Sequence, residues 1–163
     1  MNERIDGLHH VTALAGDPHR NTEFYLSVLG LRLIKKTVNF DNPSTYHLYY
    51  GNEVGTPGTV LTFFPFEENQ QGTVGRGQTS ATAFVIPDGS VDYWLDRLGD
   101  HGVAHEPPHR RFDQTVVAFT DHEGQPFELV TGSGGAEPWH DGPVPAEHAI
   151  RGFFGVTLDS LDF

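Results

Sequence analysis

The chain has 163 residues, a formal net charge of −12 and no cysteine. That length admits one domain, or two small similar halves, with a real core; the missing Cys excludes disulfides, thiolate metal sites and Cys nucleophiles. An acidic chain offers no basic patch to nucleic acid or to an anionic membrane, and no apolar run approaches the roughly 20 residues of a membrane span. MNERIDG lacks the basic and apolar regions of a signal peptide, so a cytoplasmic protein is expected. Any metal would fall to His, Asp and Glu, the set that suits iron, manganese or zinc.

The first strand is expected over Leu8 to Leu14 in GLHHVTAL. Asp17-Pro18 then predicts a helix start, with Asp as N-cap and Pro at the first helical position. Phe24, Tyr25, Val28 and Leu29 give that helix one apolar stripe, and Gly30 ends it. Strands follow over Leu31 to Phe40, Thr45 to Gly51 and Gly58 to Phe66. The polar stretch 67–78 has nothing to bury and reads as a linker. The order then repeats. Thr79 to Ile86 is a strand, Ser90 caps a helix carrying Val91, Trp94, Leu95 and Leu98, and Gly102 closes it. Short strands are expected around Val103 to His105, Thr115 to Thr120 and Gln125 to Thr131. A Gly- and Pro-rich connector over 133–149 leads to AIRGFFGVTL, an echo of GLHHVTAL in which Phe154 and Gly155 replace the two histidines.

The expected fold class is therefore α+β: βαβββ modules at 1–66 and 79–132, with the first strand of an incomplete third at 150–163. Paired side by side, two such modules would form a curved mixed sheet with a concave cleft, a common seat for small molecules. The odd strand near the end must pair onto a sheet edge or contact a second chain. A homodimer is expected, unit one of one chain completing unit two of the other.

Strand neighbours point to opposite faces. His9 shares a face with Val11 and Ala13, an apolar face expected to pack under the helices; His10 shares the other with Thr12 and is assigned to the cleft. His10 reads either as a metal ligand or as a strand histidine bonded to a carbonyl. Glu128, between Phe127 and Leu129, is either solvated or a ligand. His47 could face the same cleft or pack among aromatics. No Gly-rich phosphate loop or nucleophile elbow is present.

Two βαβββ units, a first-strand His before Val-Thr and a G-x-x-F-E-L strand resemble the vicinal oxygen chelate superfamily, which includes glyoxalase I, fosfomycin-resistance and bleomycin-binding proteins and extradiol dioxygenases. The run from GLHHVTAL through KKTVNFDNPSTYHLYYGNEVGTPGT to TFFPF is similar to the N-terminal half of hydroquinone-type ring-cleaving dioxygenases. The resemblance implies a small aromatic substrate and iron(II), with manganese or zinc as other candidates, held by a 2-His-1-carboxylate set that leaves positions open. His10 matches a ligand of that set, and His9 a residue near the substrate, beside a ligand rather than on the metal. In the shorter members, two units suffice; the three ligand positions then fall on His10, Ala81 and Glu128, and Ala81 cannot ligate. The chain is thus expected to be an incomplete dioxygenase, short of ligands on its own. The alternative is a metal-free module binding an aromatic or antibiotic in a cleft of Tyr46, Tyr49 and Phe63; glyoxalase- or thiol-transferase-type chemistry ranks below both.

Overall fold

The computed structural model describes residues 7–66, 72–73 and 75–160, so most of the segment expected as a linker lies outside the described residues. Unit one runs β1 (His10–Ala15), α1 (Pro18–Glu23), a π-helical turn (Phe24–Val28), β2 (Arg32–Val38), β3 (Tyr46–Gly51) and β4 (Val60–Pro65). Unit two runs β5 (Thr79–Ile86), α2 (Val91–Asp100), β6 (His109–Arg111), β7 (Gln114–Thr120) and β8 (Pro126–Thr131). A last strand, β9 (Phe153–Leu158), follows the connector. The class is α+β, with two mixed sheets ordered β1-β4-β3-β2 and β6-β7-β8-β5-β9. In each unit the first strand lies parallel to the last, β1 on β4 and β5 on β8.

The two units do not join edge to edge into one continuous sheet: β1 and β5 belong to different sheets. A single core joins them instead, taking Leu48, Tyr50, Leu61 and Phe63 from the first sheet and Phe84, Ile86, Phe127 and Leu129 from the second. Tyr25 stands at its centre, fully buried, its ring 4.6 Å from Phe63 and 5.9 Å from Phe127. The Tyr25 hydroxyl donates to Asp121 Oδ2 at 2.8 Å. Burial, reinforced by the Asp121 carboxylate, pushes the Tyr25 hydroxyl well above its ordinary pKa, so it stays a donor.

Local chemistry explains the helix ends. Asp17 Oδ1 accepts from the His19 and Arg20 amides, which holds its carboxyl below the usual range, and Pro18 begins α1. The helix expected to run straight to Leu29 changes to π geometry at Phe24, with Leu29 N donating to Phe24 O. The shift buries Phe24, Tyr25, Val28 and Leu29 together. Arg97 of α2 donates to Ser27 O and Val28 O, tying the two helical segments together. Ser90 makes no side-chain cap to α2; its hydroxyl lies 3.1 Å from His148 Nδ1. The strand expected at Val103 to His105 reduces to one bridge from His105 to Phe119, and β6 begins only at His109. Pro107 and Pro108, which have no N–H, account for the delay.

The echo strand takes the sheet-edge option. β9 pairs antiparallel with β5, covering that edge of unit two from within the same chain. Gly152, at φ +121°, permits the entry: a Cβ there would meet Gly58 O at 2.7 Å. Phe153 N donates to Gly58 O, and Val85 N to Gly152 O, so the start of β9 bonds both units.

Tyr25→Phe should lower unfolding free energy by about 1–3 kcal/mol, because Asp121 loses a buried donor. Urea denaturation of the two proteins measures the difference; an unchanged midpoint would remove Tyr25 as the tie between the units.

Candidate functional site

Alternation along β1 sends Val11 and Ala13 to the core and leaves His10, Thr12 and Leu14 exposed on the outer face. His9 precedes the strand and is exposed rather than packed under a helix, which corrects the expectation for its face. Its ring meets His10 edge-on, with the two Nδ1 atoms 3.1 Å apart, so one of them must carry the proton. Gly7, at φ +145°, sets the chain direction just before this pair.

The register extends that outer face across the sheet. Thr12 lies opposite Thr62, their hydroxyls 2.9 Å apart, and Thr62 lies opposite Tyr49. His47, two residues before Tyr49 on β3, shares the face. Its Nδ1 is 2.9 Å from the Tyr49 hydroxyl, and its ring lies 3.9 Å from Phe64 and 4.1 Å from Tyr49. The aromatic lining expected from Tyr46, Tyr49 and Phe63 is therefore different. Phe63 is fully buried on the inner face, and Tyr46 lies on the same side as the inner Leu48 and Tyr50. His47, Tyr49 and Phe64 line the outer face. Lys35 and Lys36 straddle the sheet, Lys35 Nζ 5.5 Å from the Tyr49 ring centre and Lys36 Nζ 4.0 Å from that of Tyr46.

In unit two the equivalent positions carry other chemistry. Ala83 pairs with Glu128 where Thr12 pairs with Thr62, and Ala118 flanks Glu128 where Tyr49 flanks Thr62. The two alanines leave room for the Arg111 guanidinium, whose Nη1 and Nη2 donate to Glu128 Oε1 at 2.9 Å and Oε2 at 2.7 Å. This fork geometry, which raises the Arg111 pKa, occupies both carboxylate oxygens. Arg111 is the residue that sequence reading missed: its link to Glu128 depends on β6, β7 and β8 lying in one register, which residue spacing does not reveal. Ala81 and Glu128 line a pocket of about 500 Å³ with Ala104, His105, Ala118 and Phe127, and His10 is not part of it.

The sequence-predicted metal ligands thus stand apart, His10 in the first sheet and Glu128 in the second. Among the described residues, no group of three or more His, Asp or Glu is placed to hold a metal ion. His10 and Glu128 stand in different sheets and Ala81 offers no donor, so the residues present do not by themselves fit an iron centre.

His47 has one further property. Burial foremost, then the charge of Lys35 and the electrostatic influence of His10, lowers its pKa from 6.5, and Nε2 is buried without a partner among the described residues. Above the ordinary imidazole value both folded and unfolded chains hold it neutral. Below that value the unfolded chain takes up a proton that the folded chain resists, so stability falls. Urea midpoints at pH 7.5 and 5.5 should show a smaller acid loss in His47→Gln than in the parent; equal losses would show that His47 is not a source of it.

Comparison with known proteins places this arrangement. Residues 7–129 match the Glyoxalase/Bleomycin resistance protein/Dioxygenase superfamily. MhqO of Bacillus subtilis (strain 168), named as a ring-cleaving dioxygenase, is 46% identical over 97% of this chain and 51% of its own length. The chlorohydroquinone/hydroquinone 1,2-dioxygenase of Sphingobium indicum is 38% identical over 96% of this chain and 50% of its own. The chain spans about half the length of the curated relatives it matches. A B. subtilis crystal structure, named as a dioxygenase, superposes with a TM-score of 0.88 at 47% identity, covering 93% of this chain and 49% of that one. A Frankia domain of 16% identity shares the fold at a TM-score of 0.66, covering 83% of this chain and 98% of its own. With its two βαβββ units and this likeness along almost its whole length, the chain belongs to the glyoxalase/bleomycin resistance/dioxygenase superfamily.

Proposed function

We propose that the chain serves in dioxygenase-type cleavage of a hydroquinone- or catechol-like ring, with His10 as its ligand to iron(II) and the remaining ligands supplied by a further βαβββ unit. The observation that carries this reading is the exposed His9–His10 pair on the outer face of β1, in a chain 38% identical to a hydroquinone dioxygenase. His9 orients His10 through the ring contact. Glu128 is not given a ligand's role, because Arg111 already engages both of its oxygens. No helix among the described residues is long and apolar enough to cross a membrane, which suits the cytoplasmic setting proposed for it.

A second reading has one observation in its favour. Small side chains at Ala81 and Ala118, where the opposite unit carries His10 and Tyr49, leave the pocket beside Glu128 open to a small aromatic without any metal. Calorimetry with hydroquinone before and after chelation separates the two. Binding that survives chelation and fails in Ala118→Trp would favour the metal-free module.

Anaerobic iron(II) titration tests the leading reading. The chain alone should bind weakly and show no ring cleavage; His10→Ala should weaken binding about tenfold further, whereas Glu128→Gln should leave it unchanged. Tight stoichiometric iron with turnover by this chain, or equal dependence on Glu128, would overturn it.

A further inference from the structure

In unit two a short segment extends the sheet beyond β6. Thr120 N donates to Ala104 O, Glu106 N donates to Ala118 O, and His105 bridges to Phe119 between them. Residues 104–106 therefore lie antiparallel beside the end of β7. Phe119 belongs to the core, so alternation puts Ala104 and Glu106 on the outer face with Ala118 and Thr120. The pairing of β7, β8 and β5 then lays two rows across that face. One runs Glu106, Ala118, Glu128, Ala83; the other runs Ala104, Thr120, Pro126, with Ala81 beyond.

These rows make a slot with a carboxylate at each end. Ala81, Ala118 and Pro126 supply a small apolar floor, and Glu106 and Glu128 line the same pocket. Neighbouring strands lie about 4.8 Å apart, so the two glutamates, on either side of Ala118, are spaced by about 10 Å at the backbone. Where unit two has Ala118, unit one has Tyr49, whose ring packs on its own face against His47. Unit two thus leaves room for a ring that the chain does not itself provide.

Charge selects what that ring carries. Two carboxylates repel an anion. At Glu128 a cation gains little, because the Arg111 guanidinium already neutralises the carboxylate. Each carboxylate oxygen has two lone pairs, so the fork from Arg111 leaves both Glu128 oxygens able to accept another hydrogen bond. Acceptors at both ends of an apolar slot call for a neutral ring with a donor at each end. A benzene ring with para hydroxyls and a hydrogen bond of about 2.7 Å at each spans about 11 Å between acceptor atoms, close to the spacing of the two glutamates.

We propose that unit two holds a metal-independent site for a para-dihydroxybenzene, its ring over Ala118, one hydroxyl donating to Glu128 and the other to Glu106. The inference rests on the second reading above, of this pocket as a metal-free aromatic site, and names the groups that recognise the ring. Every residue of the site belongs to unit two, so it is separate from the His10 face and does not depend on iron.

Anaerobic calorimetry with chelator present tests it, using hydroquinone, catechol and 1,4-dimethoxybenzene as probes. Hydroquinone should bind one to one, with equal affinity in the parent and in His10→Ala. Catechol, whose adjacent hydroxyls reach only one carboxylate, should bind about tenfold more weakly, and dimethoxybenzene, with no donor, more weakly still. Glu106→Ala, at an exposed position, should lower hydroquinone affinity about tenfold. Ala118→Trp, which fills the slot, should abolish binding; circular dichroism checks its fold, and Ala81→Leu replaces it if it does not fold. Equal binding of hydroquinone and dimethoxybenzene, both lost in Ala118→Trp, would overturn the two-carboxylate site and leave the metal-free pocket standing. Parental affinity in Glu106→Ala would do the same. Binding of none of the three probes, or hydroquinone binding that is lost in His10→Ala, would overturn both.

Discussion

Everything in this molecule depends on one buried aromatic side chain that belongs to both halves. Tyr25 leaves the helix of unit one, packs on Phe63 of its own sheet and Phe127 of the other, and fastens its hydroxyl to Asp121 in unit two. The desolvation that accompanies such burial leaves a phenol with little choice but to donate a hydrogen bond, and the buried carboxylate of Asp121 receives it. Arg97 adds the second tie by reaching the last carbonyls of the π-helical turn. With the inner faces committed to a shared core, the outer faces of the two sheets are left for chemistry, and they carry different chemistry.

That division decides what the chain can do. Equivalent positions in the two sheets hold Thr62 and Glu128, Tyr49 and Ala118, Thr12 and Ala83. Beside those positions one unit carries His10, His47 and Phe64, while in the other Glu128 is already held by Arg111. A facial ligand set needs both kinds on a single surface. The fold sets His10 on one sheet and Glu128 on the other, and the likeness to ring-cleaving dioxygenases is one of scaffold and sequence.

Much of the scaffold is legible in the residues. Asp17-Pro18 marks the helix start that the amides of His19 and Arg20 complete, and strict alternation puts Val11 inward and His10 outward. The βαβββ order can be followed twice because most of the strands are bounded by Gly, Pro or Asn. What could not be read depends on contacts between distant segments. The π geometry at Phe24 serves the seat of Tyr25 between two sheets, and no local residue announces it. Phe63 and Phe64 are indistinguishable as adjacent letters; only the pairing of Phe63 with Leu48 decides which one faces the core. Glu128 looks available until three strands align and Arg111 arrives. Side-by-side pairing of the two units follows naturally from repetition, yet the apolar stripes of the two helices are satisfied together and set the sheets against a common core instead.

The two lysines hold a last consequence. They are the chain's only ones, they are sequence neighbours on β2, and alternation sets one over Tyr49 on the outer face and the other over Tyr46 on the opposite side. An amine-directed reagent therefore meets a natural pair of reporters separated by the thickness of one sheet. Acylation of Lys35 relative to Lys36 reads out what occupies the histidine face, with the second lysine as an internal standard in the same peptide.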